Sequence, residues 1–299
     1  MKEFKNKVAV ITGAASGIGL GIARRAVKES MKVVLADIEK DALNQAEEEL
    51  KSKGAEVLSV VTDVSKLEKI ENLAQKTIEK FGEVHLLCNN AGVAAPGALW
   101  ECILSDWEWV IAVNLWGIIN GIRTFIPIML EQDNECYIVN TSSMAGVLHG
   151  DGTNGIYSVT KQGVVALSES LRSAFTNPLF KTKIGISVLL PGVVNTRITS
   201  SERNRPAEFC GQDYMPPFER IIKNHPEAEP LVREAPKIWE QGTPPDESGD
   251  IVFEAIKKDI FYIFTEIGES WETSMKSRFD GIWDDYNKIK SIINDLKSY

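Results

Sequence analysis

The sequence predicts an α/β fold in which a doubly wound parallel sheet carries helices on both faces, and three observations lead there. Short apolar runs of strand length alternate with segments of helical periodicity from Val8 to Leu190. A glycine-rich turn, Gly13-Ala-Ala-Ser-Gly-Ile-Gly19, joins the first run to the first helical segment. Later in the series Tyr157 and Lys161, four residues apart, open a long helical segment. With 299 residues, 43% of them hydrophobic, the chain suits one large domain, or two modest ones, with a sizeable core.

The first run, Val8-Ala-Val-Ile-Thr12, is nearly continuous in apolar residues, as a strand buried on both faces requires. Gly13 permits a tight turn, Gly17 lets the backbone approach a ligand's pyrophosphate, and Gly19 lets helix and strand pack closely. Amides at the new helix's N-terminus then face the phosphates, although a sharp turn with nothing bound is the plainer alternative. Lys32 to Ala36 is the second strand, and Asp37 stands at its end, 24 residues after Gly13. A carboxylate there accepts from adenosine ribose hydroxyls and repels a 2′-phosphate, and neither Ile38 nor Ser16 supplies a cation for one. NAD is therefore expected over NADP. Asp37 could also cap the helix beginning near Glu39.

Helices over about 40–53 and 66–81, stopped by Gly54 and Gly82, flank a strand from Val57 to Val61 that leads to Asp63 and Val64. The run Val84 to Cys88 enters Asn89-Asn-Ala-Gly92. Asp63 and Asn90 lie just past strand ends, where parallel α/β sheets bind ligands, although adjacent asparagines also suit a simple turn. From Trp100 to Leu130 the period is helical, read as two helices, with Asn114 embedded among apolar residues. Such an amide needs partners: either it bonds backbone in the core, or a backbone distortion there holds a water near the site.

Ile138 to Ser142 is the fifth strand, and Ser143 sits where it breaks into a glycine-rich loop, as a local cap or as part of the same crevice. Tyr157 and Lys161 share one helix face, so the ammonium favours phenolate and brings a hydroxyl of pKa about 10 closer to working pH for proton transfer. The bland alternative is a tyrosine over the core and a lysine in water. The sixth strand, Ile184 to Leu190, ends at Pro191-Gly192, followed by Val193-Val-Asn-Thr196. Residues 199–248, rich in Pro and Glu with Phe209, Tyr214, Phe218 and Trp239, read as a substrate lid or else a surface appendage. The core resumes over about 249–266 with a last strand, Phe261 to Phe264. The tail, 267–299, places Trp271, Met275, Phe279, Ile282, Tyr286, Ile289, Ile293 and Leu296 at steps of three and four, an amphipathic helix for packing on its own domain or on another subunit.

Thirty-three basic against 42 acidic residues leave a net charge of -9, which argues against nucleic acid or an anionic membrane as partner and for a small molecule. Four cysteines without Cys-x-x-Cys spacing read as thiols in a reducing compartment, and three scattered histidines give no expectation of a metal site. The N-terminal apolar run is too short for a signal peptide, and no segment is expected to reach the roughly 20 apolar residues that span a bilayer, so the cytoplasm is the expected location.

In this order, Thr12-Gly-x-x-x-Gly-Ile-Gly19, Asp63-Val64, Asn89-Asn-Ala-Gly92, Asn114, Ser143, Tyr157-x-x-x-Lys161 and Pro191-Gly192 resemble the motifs of the short-chain dehydrogenase/reductase family. The resemblance covers about residues 5–198 strongly and 261–264 weakly. It implies a single Rossmann-fold domain over 1–299, three-layered α/β/α, with NAD or NADP across the strand ends. It further implies Tyr157 as general acid or base, Ser143 holding the substrate oxygen, Lys161 lowering the tyrosine's pKa and binding the nicotinamide ribose, and Asn114 keeping a water for proton relay. Gly13, Ser16, Gly17, Ile18 and Gly19 would cradle the pyrophosphate, with Asp37 on the ribose and Asp63 and Val64 at the adenine. Asn90, Gly92, Val194 and Thr196 would line the rest. Relatives form dimers or tetramers through the helices holding Asn114 and Tyr157. The reading is an NAD-dependent oxidoreductase of a secondary alcohol or ketone, bulky and apolar in view of the lid aromatics and of Trp100, Val147 and Leu148, with His149 at the pocket rim. The rivals are a non-catalytic NAD sensor and an NADPH-dependent reductase of carrier-linked 3-oxoacyl chains.

Overall fold

Seven parallel strands form one sheet in the order β3-β2-β1-β4-β5-β6-β7. They are β1 (Val8–Thr12), β2 (Lys32–Asp37), β3 (Val57–Val61), β4 (Leu86–Asn89), β5 (Cys136–Thr141), β6 (Ile184–Leu190) and β7 (Tyr262–Phe264). The computed structural model describes residues 1–148, 150, 152–212 and 214–297, so His149 lies outside the described residues. Strand alternation divides the core in two. Ala9, Ile11, Val33, Leu35, Leu86 and Val139 face α1 (Gly17–Lys28), α2 (Lys40–Ser52) and α9 (Pro245–Lys257). Val8, Val10, Val34, Leu87 and Ile138 face α3 (Leu67–Phe81), α5 (Gly117–Gln132) and α6 (Gly155–Thr176). Because both faces are covered, the strands needed continuous rather than alternating apolar sequence, which is why Val8 to Ile11 reads as it does.

The chain runs from β1 outward to β2 and β3, then crosses back to β4 beside β1. That reversal opens a crevice at the carboxyl ends of β1 and β4, the switch point at which open α/β sheets bind ligands. Thr12 and Asn90 stand on its two sides. The Asn90 amide nitrogen donates to the Thr12 carbonyl at 3.0 Å, and Thr12 Oγ1 accepts from the Asn90 backbone at 2.8 Å, bracing the crevice open.

Several boundaries differ from the sequence expectation. Strand β4 begins at Leu86, since the chain before it is spent bonding β1 and α5: the Val8 amide donates to His85 Nδ1, and the Val84 backbone pairs with the Gln132 side chain. The expected two helices of 100–130 are one run, in which α4 (Leu104–Ile111) passes through a π-turn (Ala112–Trp116) into α5. This 29-residue run, Leu104–Gln132, is by length and composition apolar enough to cross a membrane, which corrects the expectation that no segment was. Here Trp109, Val110, Ile118, Phe125 and Met129 bury its apolar side against protein.

The second half of the core resumes at Pro245, earlier than expected, because α9 lies directly on α1. A Cβ on Gly21 would collide with the Pro245 carbonyl, and one on Gly249 with the Gly21 carbonyl. Between β6 and α9 the chain forms a 3₁₀ stretch (Ile198–Asn204), α7 (Pro217–Asn224) and α8 (Glu229–Glu240). Finally α10 (Glu269–Lys297) packs Trp271 and Met275 on the second core cluster, and Arg278 donates to the Leu148 carbonyl at 3.1 Å.

Candidate active site

Over the carboxyl ends of β1, β2, β4, β5 and β6 lies a cleft partly open to solvent. One half is built from the first turn. Gly13 and Gly17 hold φ of +63° and +52°, the left-handed region that favours glycine, and a Cβ at either would come within 3 Å of Ala91 or Thr196. The turn therefore presents bare backbone, with Ser16 and Ile18, to the cleft beneath the start of α1. Gly19 follows in the same turn, where its missing Cβ makes room for the Gly13 carbonyl, as its packing role requires.

Asp37 ends β2 at the rim. Its Oδ2 accepts from the Ala15 amide at 2.9 Å and its Oδ1 from the Glu39 amide at 3.0 Å, so it both orients the glycine turn and caps the chain before α2. Burial raises its pKa, while these two amides oppose the rise. Asp63, Val64, Asn90, Gly92, Val194 and Thr196 line the same cleft. Asp63 also accepts from the Ser65 amide at 3.0 Å, closing its own turn.

The other half holds the acid–base groups. Ser143 follows β5, and its Oγ accepts from the Ala145 amide at 3.2 Å, capping the turn Met144–Gly146. It also shares a hydrogen bond with the Tyr157 phenol. Lys161, one turn further along α6, is buried and donates from Nζ to the Thr141 carbonyl at 3.0 Å. Its charge lies over the tyrosine ring, 5.3 Å from the centroid. Burial pushes the phenol up to about 12, with the Ser143 bond working against it, and pushes the ammonium down to about 8. The shift is thus upward where the lysine was expected to bring it down, and its cause is burial, opposed by the Ser143 bond. Asn114 is fully buried in the π-turn and does not line the cleft. Its Oδ1 accepts from the Val93 amide at 2.8 Å and its Nδ2 donates to the Val93 carbonyl at 2.9 Å and to Thr160 Oγ1 at 3.2 Å. The distorted backbone and the backbone-bonded core amide, read as alternatives in the sequence, coexist.

A model of the short chain dehydrogenase family matches residues 7–207. The chain belongs to the short-chain dehydrogenase/reductase family. It is similar to a CLA biosynthesis dehydrogenase/reductase of Lactiplantibacillus plantarum, 35% identical over 268 residues, 89% of this chain and 90% of that protein. A 1-deoxy-11-beta-hydroxypentalenate dehydrogenase of Streptomyces arenae is 30% identical over 281 residues, 93% of this chain and 88% of that one. Among solved structures, a short chain dehydrogenase/reductase from Burkholderia phymatum in complex with NAD superposes with a TM-score of 0.86 at 38% identity, covering 95% of this chain and 97% of that one.

This short-chain dehydrogenase/reductase closes its cleft mostly with residues that the sequence did not single out. Val93, Trp109, Val113, Ile198 and Pro206 make an apolar wall together with Trp239, one of the aromatics expected of the lid. Of the residues expected there, Trp100 is 86% exposed, and Val147 and Leu148 pack against the second core cluster. The reason is the turn at Met144–Gly146, which carries Val147 under α6 instead of over the strand ends. At the Asp37 end, Glu39 accepts from Arg197 at 3.0 Å, from Arg203 at 2.7 Å and from Asn204 at 3.0 Å, and these partners hold its carboxyl down to about 2. Two cations therefore stand where the sequence reading found none. A signal existed in the arginines of the stretch Thr196 to Asn204, but nothing local points them 158 residues back along the chain.

Deeper in the insertion, Arg205 lies between the rings of Trp109 (4.2 Å) and Tyr214 (4.9 Å) and pairs with Glu202 and Asp106, each at 2.8 Å. Arg220 also pairs with Asp106. Asp106 and Arg205 are almost fully buried, so the insertion is clamped to α4 by a closed, desolvated charge network.

Proposed function

We propose that this enzyme is an NAD-dependent oxidoreductase moving a hydride between nicotinamide and a secondary alcohol or its ketone, on a substrate with a bulky apolar body. One observation carries the reading: the Ser143–Tyr157 hydroxyl pair with Lys161 beneath it opens into the same cleft as the glycine turn and Asp37. A dinucleotide suits the first half, since bare backbone at a helix N-terminus meets phosphate and Asp37 has lone pairs left for ribose hydroxyls. When bound, nicotinamide supplies or accepts the hydride.

The chain's own residues do the rest. Tyr157, protonated at neutral pH, gives its proton to a carbonyl oxygen that Ser143 also holds, or accepts one from an alcohol in reverse. Lys161 holds positive charge at the ring and ties the site to β5 through Thr141. Asn114 keeps Val93, on the cleft wall, at a fixed distance from α6 through Thr160. The wall of Trp109, Ile198, Pro206 and Trp239 excludes water and favours an apolar substrate body. Residues 198–240 act as its lid.

Two carboxylates at the ribose end, Asp37 and Glu39, support NAD, because Glu39 occupies the guanidinium groups that would meet a 2′-phosphate. NADPH use is the second reading, favoured by those same two arginines. Calorimetric titration with NADH and NADPH, on wild type and on Asp37→Ala, followed by turnover of secondary alcohols, tests both. NADH should bind at least tenfold more tightly and lose that margin in the variant. Absence of binding by either nucleotide would sink the reading.

A further inference from the structure

The acid–base cleft does not involve the end of the chain, where the molecule leaves a long apolar row uncovered. Met275, Phe279, Ile282, Tyr286, Ile289, Ile293 and Leu296 follow one another at steps of 4, 3, 4, 3, 4 and 3. That is a strict seven-residue repeat, averaging 3.5 residues. A helix of 3.6 residues per turn lying on a globular surface drifts off such a row, whereas a left-handed supercoil keeps it facing one partner. Met275 packs on its own domain's core. Every later member is uncovered, from 44% exposed at Ile293 to 72% at Leu296. Trp283 and Ile292, at 63% and 51%, flank the row and widen it.

We propose that α10 beyond Arg278 forms a parallel, in-register, two-stranded coiled coil with the same helix of a second copy of this chain. With Phe279, Tyr286 and Ile293 at the a positions and Ile282, Ile289 and Leu296 at d, Asp285 falls at g and Lys290 at the following e. In a parallel pair each g faces the partner's next e, so Asp285 of one chain meets Lys290 of the other, twice over by symmetry. Asp285 already accepts from Lys288 within its own helix at 2.8 Å through one oxygen, which leaves the second for Lys290. At the next step Lys297 lays its aliphatic stem along Ile292. Asp284 and Ser291 occupy the outward f positions, and Gly281, which weakens a helix most where nothing packs, sits at c, away from the seam.

The area is adequate. Eight exposed side chains at about 100 Å² each give roughly 800 Å² per chain, the size of a standard stable interface. A monomer would leave that patch in water, beyond what monomeric surfaces normally expose. The helix thus has two parts: a first stretch that docks on its own domain through Trp271, Met275 and Arg278, and a second that projects and pairs.

The test uses the full chain. Sedimentation equilibrium at micromolar concentration should give wild type a mass of at least twice 33.1 kDa, and Ile289→Asp should halve it. Unchanged nucleotide binding or alcohol turnover in that variant, whose position is remote from the cleft, marks an intact fold. In a Cys210→Ser background, which removes the exposed native thiol, Ile282→Cys should form a disulfide-linked pair on mild oxidation and Asp284→Cys should not. An antiparallel pair would put the two 282 positions about 16 Å apart, too far to link. A 33.1 kDa wild type, a mass unmoved by Ile289→Asp, or equal linking at 282 and 284 would each overturn the proposal. So would a halved mass without linkage at 282, which would place the tail on the partner's body instead.

Discussion

The Lys161 ammonium lies 5.3 Å from the centroid of the Tyr157 ring and gives one of its three N–H groups to the Thr141 carbonyl at 3.0 Å. The two groups therefore feel burial more than each other. Tyr157 is held as an acid with a pKa of about 12, and Lys161 is a charge kept in a place that would prefer it neutral. An acid of this kind is ready to protonate a carbonyl oxygen at neutral pH, and an alcohol substrate must overcome the same preference in reverse.

Tyr157→Phe removes the proton donor and little else from the cleft. Turnover should fall by about 10²–10⁴, the range of general acid–base catalysis, with nucleotide affinity within about twofold of wild type. In wild type, alcohol oxidation should rise with pH as phenolate becomes accessible, and ketone reduction should not. A tenfold loss of nucleotide affinity with turnover intact would contradict the assignment.

Lys161 carries a pH signature in stability. Its pKa is about 10.5 in the unfolded chain and about 8 in the fold, so between these values the unfolded state binds more protons and stability rises with pH. The penalty, up to about 3 kcal/mol, is fully present below pH 8. Between pH 8 and 10.5, without nucleotide, the melting temperature of wild type should gain on that of Lys161→Met as pH increases, and below pH 8 the difference should be constant. A difference that stays flat across that window would refute it.

Asn114 satisfies both backbone groups of Val93 from inside a π-turn, and Asn114→Ala leaves them buried and unpaired. The cost should be about 2–4 kcal/mol, a loss of roughly 5–10 °C in melting temperature. Calorimetry showing less than a degree of change would mean that the pairing is dispensable.

Glu39→Gln should shift nucleotide choice. Without the carboxylate, the charges of Arg197 and Arg203 are no longer neutralised near Asp37, although Arg203 keeps its bonds to the Arg197 and Ser200 carbonyls, and the NADH-to-NADPH affinity ratio should drop about tenfold, or about 1.4 kcal/mol. An unchanged ratio by calorimetry would show that the arginines do not reach the ribose.

Arg205→Ala opens the clamp between the insertion and α4, leaving Asp106 with Arg220 alone. Breaking a buried pair costs about 3–5 kcal/mol, and here the loss should be local. Limited proteolysis should cut within 198–240 faster than in wild type, while the sheet's melting changes less. Equal cleavage rates would argue that packing, not charge, holds the insertion down.

Strands β1 to β6 were readable because a strand covered on both faces must be continuously apolar, and each helix period is written within four residues of itself. The glycine turn, Asp37 and the Tyr157–Lys161 face were readable for the same reason, and the switch-point rule placed them around one crevice. The seven-residue row of the tail is likewise visible in the letters alone. The apolar wall was not. Trp109, Pro206 and Trp239 line one cleft because residues 198–240, tied to α4 by the buried Arg205–Asp106 pair, lie back over the strand ends, and Val147 is lost from that wall because one 3₁₀ turn sends it under α6. Glu39 finds Arg197 across 158 residues, a pairing no local period encodes. Nor could spacing decide the direction of the Tyr157 shift, since it is burial by the whole pocket that raises it, and only tertiary packing sets that burial.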